Sequence, residues 1–308
     1  ANTGTSPRVN FAVRVQGQIW VGTSHGVGRY ELNGDPAEAL QGVFDESVDV
    51  LSLEKNGEEI WLGTANHGLW RRNDLGQWQP PYTTANAADF LVSNQITGLA
   101  TRGDILWIST PSGISKFDLI ESVFLDPVLL RGGRLLTNDI TGVSAGGSFL
   151  FFESSEGVAV QSGQDDWFHL RRDRDSIPDE AGTNRVLATT YDEEHLWVLL
   201  GKSARQPNGS LLRRSPDPNQ NAPDSMALFP LSDIGLPAVG DSTTAQMSAR
   251  TTRGGEIRIG FCGDAERPGG AAILGARELL LGSLSDRFNQ QTRYALRGRG
   301  VDSALMMG

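Results

Sequence analysis

Short runs in which apolar residues alternate with polar or small ones recur along the whole chain, separated by glycine-centred turns. That is the pattern of half-buried β-strands, whose side chains point to opposite faces in turn. One motif repeats in order: an apolar pair with tryptophan, Gly-Thr, a glycine turn, and then an apolar-basic strand. It reads Ile19-Trp20-Val21-Gly22-Thr23 with Gly26-Val27-Gly28-Arg29-Tyr30, then Ile60-Trp61-Leu62-Gly63-Thr64 with Gly68-Leu69-Trp70-Arg71-Arg72. The third copy is Leu106-Trp107-Ile108-Ser109-Thr110 with Gly113-Ile114-Ser115-Lys116-Phe117. Weaker copies follow at Leu150-Phe151-Phe152-Glu153-Ser154, Leu196-Trp197-Val198-Leu199-Leu200, Ile257-Arg258-Ile259-Gly260 and Ala304-Leu305-Met306-Met307-Gly308.

The key residues are thus 20, 61, 107, 151, 197, 258 and 305, with steps of 41, 46, 44, 46, 61 and 47. An asparagine stands thirteen residues before three of them, in Asn94-Gln95-Ile96, Asn138-Asp139-Ile140 and Asn184-Arg185-Val186. Each unit reads as four strands, the fourth carrying an aromatic such as Trp78, Phe124, Trp167 or Phe229. Four strands per unit of this length is the arithmetic of a β-propeller blade. The expected fold is all-β: one propeller domain over residues 1–308, built of six complete four-stranded antiparallel blades and a partial seventh. The seventh unit stops at Gly308 after its second strand, so the ring is expected to be open, completed by another segment, or part of a longer polypeptide. The step of 61 contains a proline-rich stretch, about 202–225, expected to be a loop outside the blades.

Composition narrows the function classes. The 308 residues carry a net charge of −10, and a surface that acidic repels phosphate backbones, which speaks against nucleic acid as a partner. No apolar stretch is long enough to span a membrane as a helix. The single Cys262 excludes an internal disulfide and a cysteine-based zinc cage.

The repeat of asparagine, apolar strand, glycine turn, Leu-Trp-Ile/Val-Gly-Thr and Gly-apolar-x-Arg/Lys-aromatic resembles the two-component regulator propeller repeat. The match is strong over residues 9–120, fair to 200 and poor beyond. The resemblance implies a seven-bladed bacterial propeller with an exported sensory or scaffolding role, periplasmic or extracellular. The start Ala1-Asn2-Thr3-Gly4, without methionine or signal peptide, agrees with processing on export.

Catalytic motifs fail on their flanks. Gly22-Thr23-Ser24-His25-Gly26 spells a nucleophile elbow, but both flanks read as strands, whereas the elbow needs a strand-to-helix turn. Gly201-Lys202-Ser203 lacks the earlier glycine of a phosphate loop. Asp173, Asp175, Asp179 and Glu180 lack the bend glycine of a calcium loop, and Arg171, Arg172 and Arg174 stand ready to pair with them. Asn208-Gly209-Ser210 reads as a turn. His169 and His195, in or beside strands, read as structural.

The remaining candidates form a binding rim. His25 and His67 fall in the turn between second and third strands of consecutive units, and Asn66, Ser112 and Glu156 occupy the same turn in this or later units. Arg205 falls near the same place. Trp70, whose counterparts are Gly28, Ser115 and Ala159, is a candidate aromatic contact. The chain is therefore expected to bind a protein partner or a small ligand at the channel mouth through His25, Asn66, His67, Trp70, Ser112 and Glu156. No catalytic residue, metal or cofactor is expected, and a place as subunit of a larger assembly is a further expectation. The alternative is a lyase- or hydrolase-type propeller enzyme using a channel-mouth histidine.

Overall fold

The computed structural model describes residues 9–31, 48–87, 89–163, 166–174, 176–216, 226–233, 238–239, 244–250, 256–262, 270–275 and 279–283. The contacts divide the chain into two compact units, one within Ser6–Arg171 and one within Arg172–Gly308.

The first unit holds four antiparallel sheets, each a meander of strands adjacent in sequence. The first sheet is β1 (Val9–Val15), β2 (Gln18–Thr23) and β3 (Gly26–Glu31); the second is β4 (Val50–Asn56), β5 (Glu59–Thr64) and β6 (Leu69–Arg72). The third is β7 (Gly98–Arg102), β8 (Ile105–Thr110), β9 (Gly113–Asp118) and β10 (Val123–Val128). The fourth is β11 (Ile140–Gly146), β12 (Phe149–Ser154), β13 (Gly157–Ser162) and β14 (Asp166–Leu170).

The second strand of each sheet is apolar almost throughout because both of its faces are covered. Ile60 and Leu62 face a cluster with Phe11, Val15 and Trp20 of the first sheet. Trp61, on the opposite face, joins Leu99, Leu106, Ile108 and Phe117 of the third. Trp107 in turn packs with Ile140, Leu150 and Phe152 of the fourth. The repeated tryptophan is thus the side chain that each of the first three sheets presents to the next. Trp20, Trp61, Trp107 and Phe151 are all buried.

The basic residue of the third strand also has a fixed partner. Arg29 stands across the ladder from Trp20, Arg71 from Trp61 and Lys116 from Trp107. Their cations lie 5.6, 5.1 and 5.8 Å from the ring centroids, within reach of the indole face. Arg71 is further held by Glu59 at 2.5 Å.

Sheets are tied to their successors by polar contacts as well. The N–H of Thr101 in β7 donates to Glu54 of β4 at 2.9 Å. Burial pushes the Glu54 carboxyl above the usual carboxylate range, against the smaller opposing effect of that hydrogen bond. A carboxyl raised in the folded state favours folding while protonated; its contribution is full below the ordinary carboxylate range and is lost as pH rises through the folded value. Glu54→Gln, which can still accept from Thr101, should therefore resist urea better than the parent at pH 7, with the difference shrinking towards pH 4. An unchanged difference across that range would contradict this assignment.

In the second unit, the fifth sheet is β15 (Val186–Tyr191), β16 (Leu196–Leu200), β17 (Ser210–Arg214) and β18 (Met226–Pro230). The sixth is β19 (Thr244–Arg250), β20 (Glu256–Cys262), β21 (Gly270–Gly275) and β22 (Leu279–Ser283). Trp197 is half-buried and differs from its counterparts: its indole N–H donates to Asp192 at 2.8 Å, while Arg213 covers the ring at 6.0 Å. Arg214 at the end of β17 is only 2% exposed, its guanidinium donating to the carbonyls of Ser176 and Ser215.

Two expectations are corrected. The blades are four-stranded antiparallel meanders, but they do not make six complete blades and a partial seventh. Four sheets are four-stranded and two are three-stranded among the described residues, short of a seven-bladed count. In the second sheet the cause is visible. After β6 the chain returns as two isolated pairings, Arg72 with Trp78 and Leu69 with Tyr82, because Pro80 and Pro81 between them have no N–H to offer a ladder. Residue 305 lies outside the described residues. Finally, the 202–225 stretch is not wholly outside the blades, since β17 runs inside it and pairs with β16 and β18. Pro207 and Pro216 flank that strand and leave its ladder intact.

Candidate functional site

One turn recurs between the second and third strands of the first four sheets, built on a hydroxyl. Thr23, Thr64, Thr110 and Ser154, each closing a second strand, donate to the carbonyls of Gly26, Gly68, Gly113 and Gly157 at 3.0, 2.7, 2.8 and 2.9 Å. The same oxygens accept the backbone N–H of His25, His67, Ser112 and Glu156 at 3.0, 2.9, 3.1 and 3.2 Å. Backbone and hydroxyl fix the turn, and the side chain at its tip is left to differ. This explains why four unlike residues occupy one position.

The turns are bonded to the segments that lead into the first strand of their own sheet or the next. Gly26 N–H donates to Val48, Ala65 to Asp49 and Gly68 to Asn94, at 2.7, 2.9 and 3.0 Å. The recurrent asparagines tie the preceding loop to this point. Asn94 accepts from Thr84 N–H, Asn138 from Leu130 and, in the second unit, Asn184 from Arg172, at 2.8, 2.7 and 2.9 Å. Turn tips and inter-sheet connections thus share one end of the first unit's blades.

His25, Asn66, Ser112 and Glu156 are exposed there. The Nδ1 of His25 meets the Ser24 hydroxyl at 2.9 Å, a contact between chain neighbours in a strand-to-strand turn with no helix after it. His67 is half-buried, and its Nδ1 is enclosed without a hydrogen bond. Trp70 lies apart from them on β6, half-buried against the cluster of Phe11, Val50 and Leu62, its ring taken up by packing between the first two sheets. Arg205 of the second unit donates to the Asp179 carbonyl at 2.6 Å, a structural bond, and Arg172 pairs with Asp179 at 3.1 Å. His169 contacts the Arg134 carbonyl at 3.0 Å, and the His195 N–H is held by Asp192.

Sequence reasoning missed residues in the segments that lead into the first strands. They are Asp49, whose carbonyl takes the Ala65 N–H, Gln95, next to the Asn94 carbonyl that takes the Gly68 N–H, and Asp139. Asp49 is oriented by the buried Asn10 amide at 2.6 Å. The signal was present, since Gln95 and Asp139 directly follow the landmark asparagines. Among the described residues no three His, Cys, Asp or Glu side chains gather as a metal site would, and no helix is long and apolar enough to cross a membrane.

No protein-family model and no curated protein matches the chain. Solved structures share its fold. The extracellular domain of the putative hybrid two component system BT3049 from B. thetaiotaomicron aligns with a TM-score of 0.57 at 15% identity, over 84% of this chain and 39% of that one. The corresponding domain of BT4673 from the same organism gives 0.58 at 12%, over 90% and 34%. The Neurospora crassa Pan2 WD40 domain gives 0.54 at 8%, over 88% and 90%. These likenesses establish a β-propeller fold. The chain spans 39% and 34% of the length of the two bacterial structures.

Proposed function

We propose that this chain is a non-catalytic binding propeller, a sensory or scaffolding module of a bacterial exported protein or assembly, working in the periplasm or outside the cell. The resemblance to the two-component regulator propeller repeat and the likeness to extracellular domains of two-component systems support that setting. The observation that carries the binding role is the constant turn with the variable tip. The same hydroxyl bonds hold four turns in place, while the residues at their tips read His25, Asn66 with the half-buried His67, Ser112 and Glu156. The adjoining Asp49, Gln95 and Asp139 extend the surface.

The test is a titration of the isotope-labelled chain with a defined panel of oligosaccharides, amino acids, dicarboxylates and nucleotides, read by amide shifts. Shifts clustered at 24–26, 49, 65–67, 95, 112, 139 and 156 are expected. Shifts confined to the opposite ends of the strands, or turnover of a panel member abolished by His25→Ala or His67→Ala, would overturn the reading.

A further inference from the structure

The chain holds three Asn-Gly pairs, Asn33-Gly34, Asn56-Gly57 and Asn208-Gly209, of which the first lies outside the described residues. Asparagine followed by glycine can modify itself in water. The glycine backbone nitrogen attacks the side-chain carbonyl carbon and a C–N bond forms, while the amide nitrogen leaves as ammonia with the glycine N–H proton. Water then opens the five-membered imide at one of its two C–N bonds, leaving aspartate or isoaspartate. With no Cβ on the glycine, nothing of its own crowds the attacking nitrogen. By sequence the two described pairs are equal substrates; the fold makes them unequal.

Asn208-Gly209 is tied at the atoms that would have to move. The Gly209 N–H, which carries the nucleophile, donates to the Gln206 carbonyl at 3.0 Å, and Gly209 is buried. The Asn208 carbonyl accepts from Val239 N–H at 3.0 Å, and the Gly209 carbonyl accepts from Leu231 N–H at 3.1 Å. A Cβ on Gly209 would stand 2.6 Å from Cγ2 of the buried Val239, so the surroundings leave no slack. Asn56-Gly57 is the opposite case. Gly57 is exposed in the two-residue loop between β4 and β5, and a Cβ there would meet no atom within 4 Å. Among the described residues neither the Gly57 N–H nor the Asn56 side-chain amide has a hydrogen-bond partner. Asn56 is held through its ladder pairing with Glu59, at the very end of β4.

We infer that Asn56 is a deamidation site of the folded protein and that Asn208 is protected by its surroundings. As aspartate, the product adds one negative charge, two residues from Glu58, to a chain of net charge −10. As isoaspartate, it inserts an extra backbone carbon where Asn56 pairs with Glu59, on one side of a hairpin whose register decides which side chains face the core. This modification is independent of the ligand rim at the turn tips.

The whole chain is held at mildly alkaline pH and sampled over time, with segments 56–71 and 206–213 sequenced by mass spectrometry and isoaspartate scored by chromatography. Asn56 should react about tenfold faster than Asn208 or more, because freeing a buried, hydrogen-bonded N–H costs about that factor. In urea, where both pairs lose their surroundings, the two rates should converge. Gly57→Ala, whose methyl meets no atom of the fold but crowds the attacking nitrogen, should slow the reaction at Asn56 and leave Asn208 unchanged. Equal rates in the folded chain, faster reaction at Asn208, a ratio that survives in urea, or an Asn56 that reacts only once unfolded would each overturn the inference.

Discussion

Trp61→Ala should lower the unfolding free energy by about 4 kcal/mol, the middle of the range for a buried aromatic cut back to alanine. Trp61 is fully enclosed, with Phe117 at 4.9 Å, Tyr82 at 6.2 Å and the Arg71 guanidinium 5.1 Å above its ring. Its removal opens a cavity between the second and third sheets and strips Arg71 of its aromatic partner. The half-buried Trp197 gives an internal comparison, and Trp197→Ala should cost about half as much, because less apolar surface returns to water. Equilibrium urea unfolding of the two variants measures both. Equal losses, or a Trp61→Ala loss below about 1 kcal/mol, would contradict the role given to the repeated tryptophan.

Gly63→Val should cost about 3 kcal/mol through overpacking. Its backbone is ordinary strand, so conformation is not the reason for glycine here. A Cβ would run into the Ser52 hydroxyl and stand 2.5 Å from Cγ2 of Ile96, itself fully buried and unable to yield. Gly57 is the contrasting case. It has φ +59 in the hairpin between β4 and β5, and a Cβ there would meet no atom within 4 Å. Gly57→Ala should therefore cost only the left-handed penalty of about 1 kcal/mol. Thermal melts of the two variants distinguish crowding from backbone strain, and a greater loss at Gly57 would reverse the assignment.

Much of this architecture was legible because each blade is a run of local hairpins. The Trp-centred motif marks β2, β5, β8 and β16 directly, Phe151 marks β12, and the key residue 258 falls on β20 as expected. The glycine turns and the aromatic fourth strands at Phe124, Trp167 and Phe229 follow from the same spacing. What could not be read depends on partners distant in sequence. The proline count suggested a loop across 202–225, yet whether a proline breaks a strand or only borders it depends on where the neighbouring strand pairs, and Ser210–Arg214 pairs on both sides. The asparagines were visible as landmarks, but their role as acceptors for a loop eight to twelve residues upstream required the folded chain. Trp70 looked like a surface aromatic because its counterparts are small, and it is the packing between the first two sheets that half-buries it. For the candidate site, the turn tips were legible from the repeat, while Asp49 was brought to them by Asn10, thirty-nine residues away.

The central claim is that hydroxyl-anchored turns hold the frame while their tips bind. The variant His25→Ala, His67→Ala, Ser112→Ala and Glu156→Ala tests it in one titration, paired with a melt of the same sample. Stability should stay within about 1 kcal/mol of the parent, since His25, Ser112 and Glu156 are exposed and the half-buried His67 holds its turn through a backbone N–H that alanine keeps, while whichever panel ligand shifts the turn amides should no longer bind. Retained binding with unchanged stability would contradict the claim, as would a collapse of the fold.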